Sequence, residues 1–275
     1  MNSLIQKILF ETNQFCNLNC EYCFYNDVGK SDKYLTCEDI KNVCEKYPSA
    51  NEFFLTGGEC TLNNDFNKLI DYLALKGKVI IFTNGLNFYK KNNKQISKLL
   101  EKLYKIIITY DSANPGYFLR KGLEKQIFRS IKKVAEINSS KLEVKVCLNK
   151  LNLNDFEKTI NELIKNNIKY ISVNYIKNIS KSEKNFELSY QEILRSFEII
   201  RKYERYFNKK NIDFVYKSYK NNFNNAVKCI AGKRFVYIDC FGNEFYCPSS
   251  SIELDQPKKK QCFGKHCINI WELFV

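Results

Sequence analysis

Three cysteines share one short stretch, Cys16, Cys20 and Cys23, with the spacing C-x3-C-x2-C. Three thiolates on one loop can ligate three irons of an iron–sulfur cubane and leave the fourth iron without a protein ligand. An open metal position can take up a substrate or cofactor, whereas a simple electron-transfer ferredoxin closes all four positions with cysteine. The chemistry suggested is therefore that of a reactive centre.

The other cysteines divide by context. Five of the twelve, Cys229, Cys240, Cys247, Cys262 and Cys267, fall in residues 221–275. This segment reads as a small domain stapled by a metal or cluster. Within it, FVYID and EFYC are two short strands, and FGN between them is a hairpin turn. Cys37 and Cys44 share a helix face and read as core residues, and Cys147 reads as a small hydrophobe in a strand. The one histidine, His266, reads as a packing residue, and so little imidazole favours iron–sulfur over other metals. Zinc held by four thiolates is the alternative for the C-terminal group.

Composition bounds the rest. The 275 residues are 44% hydrophobic and 15% aromatic, enough for one large packed core and a small appendage. There is no run of apolar residues long enough to span a membrane. The first residues are too soon interrupted by Glu11 and Asn13 to form a secretory signal, so a cytoplasmic location is expected. There thiols stay reduced, which favours metal binding over disulfides. The formal net charge of +14 is compatible with an acidic partner. No RNP or zinc-finger pattern supports nucleic acid. Lysines are spread along the whole chain, as on solvated faces.

The elements that must position the cysteines alternate. Strands are predicted over 5–12, 51–57, 78–85, 105–112, 142–150 and 169–176. Helices are predicted over 36–47, 64–77, 93–103, 124–137 and 154–167. Thr36 and Asn154 are expected as helix N-caps, and Gly77 as a helix-ending glycine. A helix over 187–207 is expected to lead away from the sheet. Six such repeats with near-continuous apolar strands give a parallel sheet covered by helices, either barrel-like or open and doubly wound. In both, ligands bind at the C-terminal ends of the strands.

The segment FETNQFCNLNCEYCFYN, with Tyr22 just before the third cysteine, resembles the signature loop of the radical S-adenosylmethionine (SAM) superfamily. FLTGGECTL at 54–62 is similar to that family's Gly-Gly-Glu motif, and TNG at 83–85 and TYDS at 109–112 end strands where the family has comparable sequences. The similarity covers roughly residues 4–180. It implies a partial (β/α)6 TIM-like barrel over 1–210. Cys16, Cys20 and Cys23 would ligate a [4Fe–4S] cluster whose open iron chelates the amine and carboxylate of SAM. Tyr22 would lie near the adenine. Gly57 and Gly58 would let the backbone approach the methionine, and Glu59 would accept a hydrogen bond from its amine. Thr83, Asn84, Thr109 and Asn149 would surround the ribose and carboxylate. Cys60, directly after the motif, is a candidate hydrogen-atom donor. The family more often has Ser at position 109 and Pro at position 60.

The C-terminal segment resembles the SPASM and twitch extensions of some members of the family, in which Cys229 is followed after twelve residues by Gly242 and after four more by Cys247. That implies a twitch-like domain over 221–275 with one auxiliary [4Fe–4S] cluster on Cys229, Cys247, Cys262 and Cys267, Cys240 being the alternate ligand. The implied chemistry is homolytic: an electron from flavodoxin or ferredoxin splits SAM, and a 5′-deoxyadenosyl radical removes a substrate hydrogen atom. The expected substrate is a ribosomally made peptide, cross-linked or oxidised, with peptide recognition left to a separate protein. The alternatives are a twitch-type dehydrogenase of a small aminocyclitol or sugar, and a non-catalytic iron–sulfur or zinc module.

Overall fold

The computed structural model describes residues 4–23, 25, 31–114, 120, 122–176, 186–208, 212, 216 and 231–248. Cys229, Cys262, Cys267 and His266 lie outside the described residues.

Six strands and the helices between them follow the expected alternation. The strands are β1 (Lys7–Glu11), β2 (Glu52–Thr56), β3 (Lys78–Thr83), β4 (Lys105–Thr109), β5 (Leu142–Leu148) and β6 (Ile171–Tyr175). The helices are α1 (Cys37–Lys46), α2 (Phe66–Ala74), a short α3 (Leu86–Lys90), α4 (Asn93–Lys102), α5 (Glu124–Asn138), α6 (Phe156–Lys165) and α7 (Tyr190–Lys202). Strands β7 (Phe235–Ile238) and β8 (Glu244–Phe245) follow. All join one sheet in the order β6-β5-β4-β3-β2-β1-β7-β8, parallel throughout except for the β7–β8 hairpin. This is the partial-barrel α/β architecture that the sequence predicts.

Alternation along the strands sorts two apolar layers. Ile8, Phe10, Phe53, Leu55, Val79, Ile81, Ile106 and Ile108 belong to the large core beneath the helices. Leu9, Phe54, Ile80 and Ile107 belong to a smaller cluster on the other face, with Phe235 and Tyr237 of β7. That second face lines the barrel interior. Its polar members stand at the strand starts (Lys7, Glu52, Lys78 and Lys105), at the finish of β1 (Glu11), and along β5 and β6 (Glu143, Lys145 and Ser172).

The caps explain where the helices begin. Thr36 caps α1 in a reciprocal box with Asp39, as expected. Asn92 with Gln95 and Ser189 with Glu192 do the same for α4 and α7. Asn154, expected as a cap, is not one: it lies in a 3-10 turn before α6 and accepts a hydrogen bond from Arg195 instead. Helix α7 does not lead away from the sheet. Its Ile193, Phe197 and Ile200 enter the main core, and Ser196 bonds the Tyr175 hydroxyl of β6 at 2.8 Å. The predicted hairpin forms, but its first strand pairs in parallel with β1 and so extends the barrel sheet.

Gly77 follows α2 as expected, but for a different reason than a left-handed cap. A Cβ there would stand 2.1 Å from the Asn51 carbonyl oxygen, so the glycine lets the α2–β3 turn lie on the β2 approach. Gly77→Ala is expected to destabilise the fold by about 1–3 kcal/mol through overpacking against backbone. A urea midpoint equal to that of the parent protein would refute this.

Candidate functional site

The cysteine loop leaves the C-terminal end of β1 and is seated on the end of β2. Gly58 N–H donates to the Asn13 carbonyl at 2.9 Å, and Glu59 N–H donates to the Phe15 carbonyl at 2.9 Å. The seat is possible only without side chains. A Cβ on Gly57 would meet the Asn13 oxygen at 2.3 Å, and one on Gly58 would meet the Phe15 oxygen at 2.4 Å. Gly57 also has φ +148°, in the range that favours glycine. The sequence expectation assigned this pair to an approach to methionine. The contact observed is with the cysteine loop itself.

Glu59 ties the seat to β3. Its carboxylate is buried and accepts from Thr61 N–H (3.2 Å), the Thr61 hydroxyl (2.6 Å), the Thr83 hydroxyl (2.7 Å) and Asn84 N–H (2.7 Å). Burial raises its pKa, and these hydrogen bonds oppose the rise. Glu59 therefore has mates that the local sequence does not reveal, and Thr83 is one of them. Asn84 reaches the other way: its side-chain amide donates to Cys16 Sγ at 3.5 Å and to Asn17 Oδ1 at 2.8 Å.

Cys16 Sγ also accepts from Leu18 N–H at 3.4 Å. Burial, the largest influence, raises the Cys16 thiol and pushes Cys20 up to about 11. Cys23 raises both through its charge, so the three thiols feel one another. Type, loop and hydrogen-bond donors fit a cluster ligand set, since sulfur-directed N–H groups stabilise thiolate. Among the described residues, no three His, Cys, Asp or Glu side chains already converge on metal-binding geometry. Gathering the three sulfurs is left to the metal.

Tyr22 closes the mouth from the loop side. Its phenol hydroxyl bonds the Asp111 carboxylate just beyond β4, and Arg120 donates to the same hydroxyl at 2.8 Å and to Asp111 at 2.8 Å. Arg120 also donates to the Thr109 carbonyl at 3.0 Å. Burial pushes the Tyr22 phenol well above its ordinary value, with Arg120 pulling back. Burial would lower Arg120, but Asp111 and then Tyr22 outweigh it and hold the guanidinium charged. The Tyr22 ring meets Phe186 edge-on at 6.5 Å between centroids.

Sequence reasoning missed Asp111, Arg120, Glu11 and Asn13 as site residues. Glu11, buried at the end of β1, accepts from the Tyr25 hydroxyl and from Cys240 N–H at 3.1 Å. Asn13 Oδ1 is buried beside the seat and has no hydrogen-bond partner among the described residues. The isolated acid at the end of a strand was the one signal available for Glu11. Nothing in spacing marks Arg120.

The remaining expected residues fall differently. Asn149 is fully buried and used within the turn after β5, where it bonds Leu151 N–H and the Cys147 carbonyl. Thr109 is half-buried on the barrel face, in register with Lys145. Cys60 is fully buried in the helix-side core and donates to the Phe82 carbonyl at 3.2 Å, which withdraws it from the barrel. Cys147 lies in β5 as the small hydrophobe expected, packed with Tyr22 and Phe186, and burial followed by Asp111 pushes its thiol up to about 12. Cys240 and Cys247 are both buried on the β7–β8 hairpin.

Two outcomes follow from this geometry. Gly58→Ala should unseat the loop, lowering iron content at least several-fold and stability by roughly 2 kcal/mol; full iron loading in that variant would refute the seat. Iron takes thiolate, yet burial keeps Cys16 and Cys20 protonated in the metal-free protein, so loading releases protons. Iron retention against a chelator should therefore rise from pH 7 to pH 9. A flat profile would contradict it.

Comparison with known proteins places the chain. The model of the Radical SAM superfamily matches residues 10–163. The Bacillus subtilis protein "Antilisterial bacteriocin subtilosin biosynthesis protein AlbA" is 25% identical over 134 residues, covering 46% of this chain and 30% of AlbA. A probable GTP 3′,8-cyclase of Methanothermobacter marburgensis is 30% identical over 74 residues, covering 26% of this chain and 24% of that protein. The matched stretches thus span less than a third of either curated relative. Among solved structures, Streptococcus suis SuiB superposes with TM-score 0.69 at 16% identity, covering 94% of this chain and 63% of SuiB. The enzyme anSMEcpe with bound AdoMet superposes with TM-score 0.66 at 15% identity, covering 90% and 75%. At these identities the superpositions establish the fold. With more than half of its length matched by the family model, this chain belongs to the radical SAM superfamily.

Proposed function

We propose that this chain is a peptide-modifying radical SAM enzyme that holds its [4Fe–4S] cluster on Cys16, Cys20 and Cys23. The observation that carries the proposal is the seating of the root of the cysteine loop, the Asn13 and Phe15 backbone, on Gly57, Gly58 and Glu59 at the C-terminal end of a parallel sheet. When bound, cluster and SAM supply a 5′-deoxyadenosyl radical that removes a hydrogen atom from the substrate. The protein holds and screens. Leu18 N–H and the Asn84 amide offset the negative charge of the Cys16 sulfur. Thr83 fixes Glu59, and Glu59 in turn fixes Asn84. Thr109 offers a barrel-facing hydroxyl to SAM. Asn149 acts at one remove, by setting the turn after β5. Tyr22, Asp111 and Arg120 lock the loop across the mouth and keep water out.

The peptide substrate is supported by the relatives. AlbA is a bacteriocin biosynthesis protein. SuiB has been solved with its precursor peptide SuiA, and anSMEcpe with AdoMet and a peptide. In this reading a separate protein presents the peptide. The C-terminal group, Cys229, Cys247, Cys262 and Cys267 with Cys240 as alternate, holds an auxiliary cluster. The described part of it rests on β1 through Cys240 and Glu11. The net charge of +14 suits docking of acidic flavodoxin or ferredoxin. Among the described residues no helix is long and apolar enough to cross a membrane, in keeping with work in the cytoplasm.

Anaerobically reconstituted protein given dithionite and SAM should release 5′-deoxyadenosine, and the Cys16/Cys20/Cys23→Ala variant should release none. That variant should retain about four irons on the auxiliary ligands. Absence of 5′-deoxyadenosine from iron-loaded protein would overturn the radical reading, and loss of all iron from the variant would overturn the second cluster. A short peptide encoded beside the gene should change mass on co-expression; an unaltered peptide refutes the peptide assignment.

A further inference from the structure

The barrel interior holds a cavity of about 530 Å³, within the range of small-ligand sites. It lies toward the N-terminal ends of the strands, away from the cysteine loop, with Phe54, Ile80 and Ile107 among its apolar walls. Three lysines line it. Lys78 is 3.9 Å from Glu52, and Lys105 is 3.0 Å from Glu143. Lys145 has neither an ion pair nor a hydrogen bond among the described residues; its ammonium rests over the Phe82 ring at 4.5 Å. Burial lowers its pKa, and Glu143 works against that.

A second donor without a well-formed hydrogen bond among the described residues stands on the same rung. Ser172 of β6 is in register with Lys145 of β5, so both side chains face the cavity. The Ser172 hydroxyl is near enough to Glu143 to help hold that carboxylate ionised, yet it is buried without a well-formed hydrogen bond. Thr109 of β4 continues the rung toward the other wall. An ammonium with three donors but no ion pair or hydrogen bond among the described residues, beside a hydroxyl held only loosely by Glu143, represents a cost to folding that a complementary ligand removes.

We infer that Lys145 and Ser172 recognise a carboxylate of the substrate, anchoring its acidic end in the barrel below the cysteine loop. The inference rests on the radical SAM reading for the reaction but not for the binding. The carboxylate comes either from an acidic side chain of a peptide or from a small acid. Both present the same two oxygens to the ammonium and hydroxyl. Glu143 is paired through one oxygen with Lys105 at 3.0 Å, so its single charge is shared between Lys105 and Lys145 and leaves the three lysines of the cavity in excess over its carboxylates.

The test uses the full reconstituted chain with saturating SAM, so that the carboxylate of SAM is already in place. Melting temperature is measured with glutarate against neutral glutaramide, and with acetyl-Gly-Glu-Gly-amide against its Gln counterpart. At least one acid should stabilise by 2 °C or more ("~2 °C" being about 1 kcal/mol for a chain of this size) beyond its neutral twin. A shift with glutarate identifies a small acid, and one with the Glu peptide alone identifies a peptide side chain. Lys145→Met should abolish the difference. Ser172→Ala should reduce the difference, and Lys145→Arg should preserve part of it, which covers a Met variant that does not fold. Equal shifts with acids and neutral twins, a preference that survives Lys145→Met, or a preference seen only without SAM would overturn the inference. Release of 5′-deoxyadenosine, measured separately, reports on the reaction alone.

Discussion

The contact on which the site depends is backbone against backbone. Asn13 and Phe15, at the root of the cysteine loop, lie directly on Gly57 and Gly58, and any side chain there would drive the two apart. A loop that must carry three sulfurs to one metal needs a fixed origin, and a pair of amide hydrogen bonds at 2.9 Å provides it. Glu59 then extends the order sideways. Its carboxylate gathers Thr61, Thr83 and Asn84, and Asn84 returns to Cys16. The ends of β1, β2 and β3 thus become one hydrogen-bonded unit in which a buried acid is made tolerable by its four donors.

On the far side of the mouth a different device works. Tyr22 is carried by the cysteine loop, whereas Asp111 and Arg120 belong to the segment after β4. A buried ion pair is a poor source of net stability, but it fixes geometry when every member is engaged. Here it pins the third-cysteine end of the loop, as the glycine seat pins the first. The loop is held at both ends, and between them Leu18 enters the core with Cys16 and Cys20 packed against it, which keeps the sulfurs near one another for a metal to gather.

Much of this was legible in the sequence. The six-fold alternation, the strand limits to within a few residues and the Thr36 cap follow from periodicity and capping chemistry. The cysteine spacing and the Gly-Gly-Glu motif gave the family. What could not be read was anything that depends on which segments meet. The local sequence of Gly57 does not say that Asn13 will be its neighbour, and Arg120 has no marker until Tyr22 and Asp111 converge on it. Asn154 has the small polar side chain of a cap, but a 3-10 turn intervenes and Asp155 stands at the N-cap of α6. Cys60 looked reactive by position in the chain; packing placed it in the core. The C-terminal hairpin was readable as a hairpin, while its docking beside β1 is a long-range choice that no local pattern encodes.

That docking has a consequence for how the molecule is assembled. Strand β7 is synthesised long after β1, so one edge of β1 stays uncovered while more than two hundred residues emerge, as the separation of Cys240 from Glu11 shows (229 positions). Pairings between such distant segments form slowly, and an unpaired apolar edge attracts other chains meanwhile. The charged termini of β1, Lys7 and Glu11, flank its three apolar residues and act as gatekeepers during that wait.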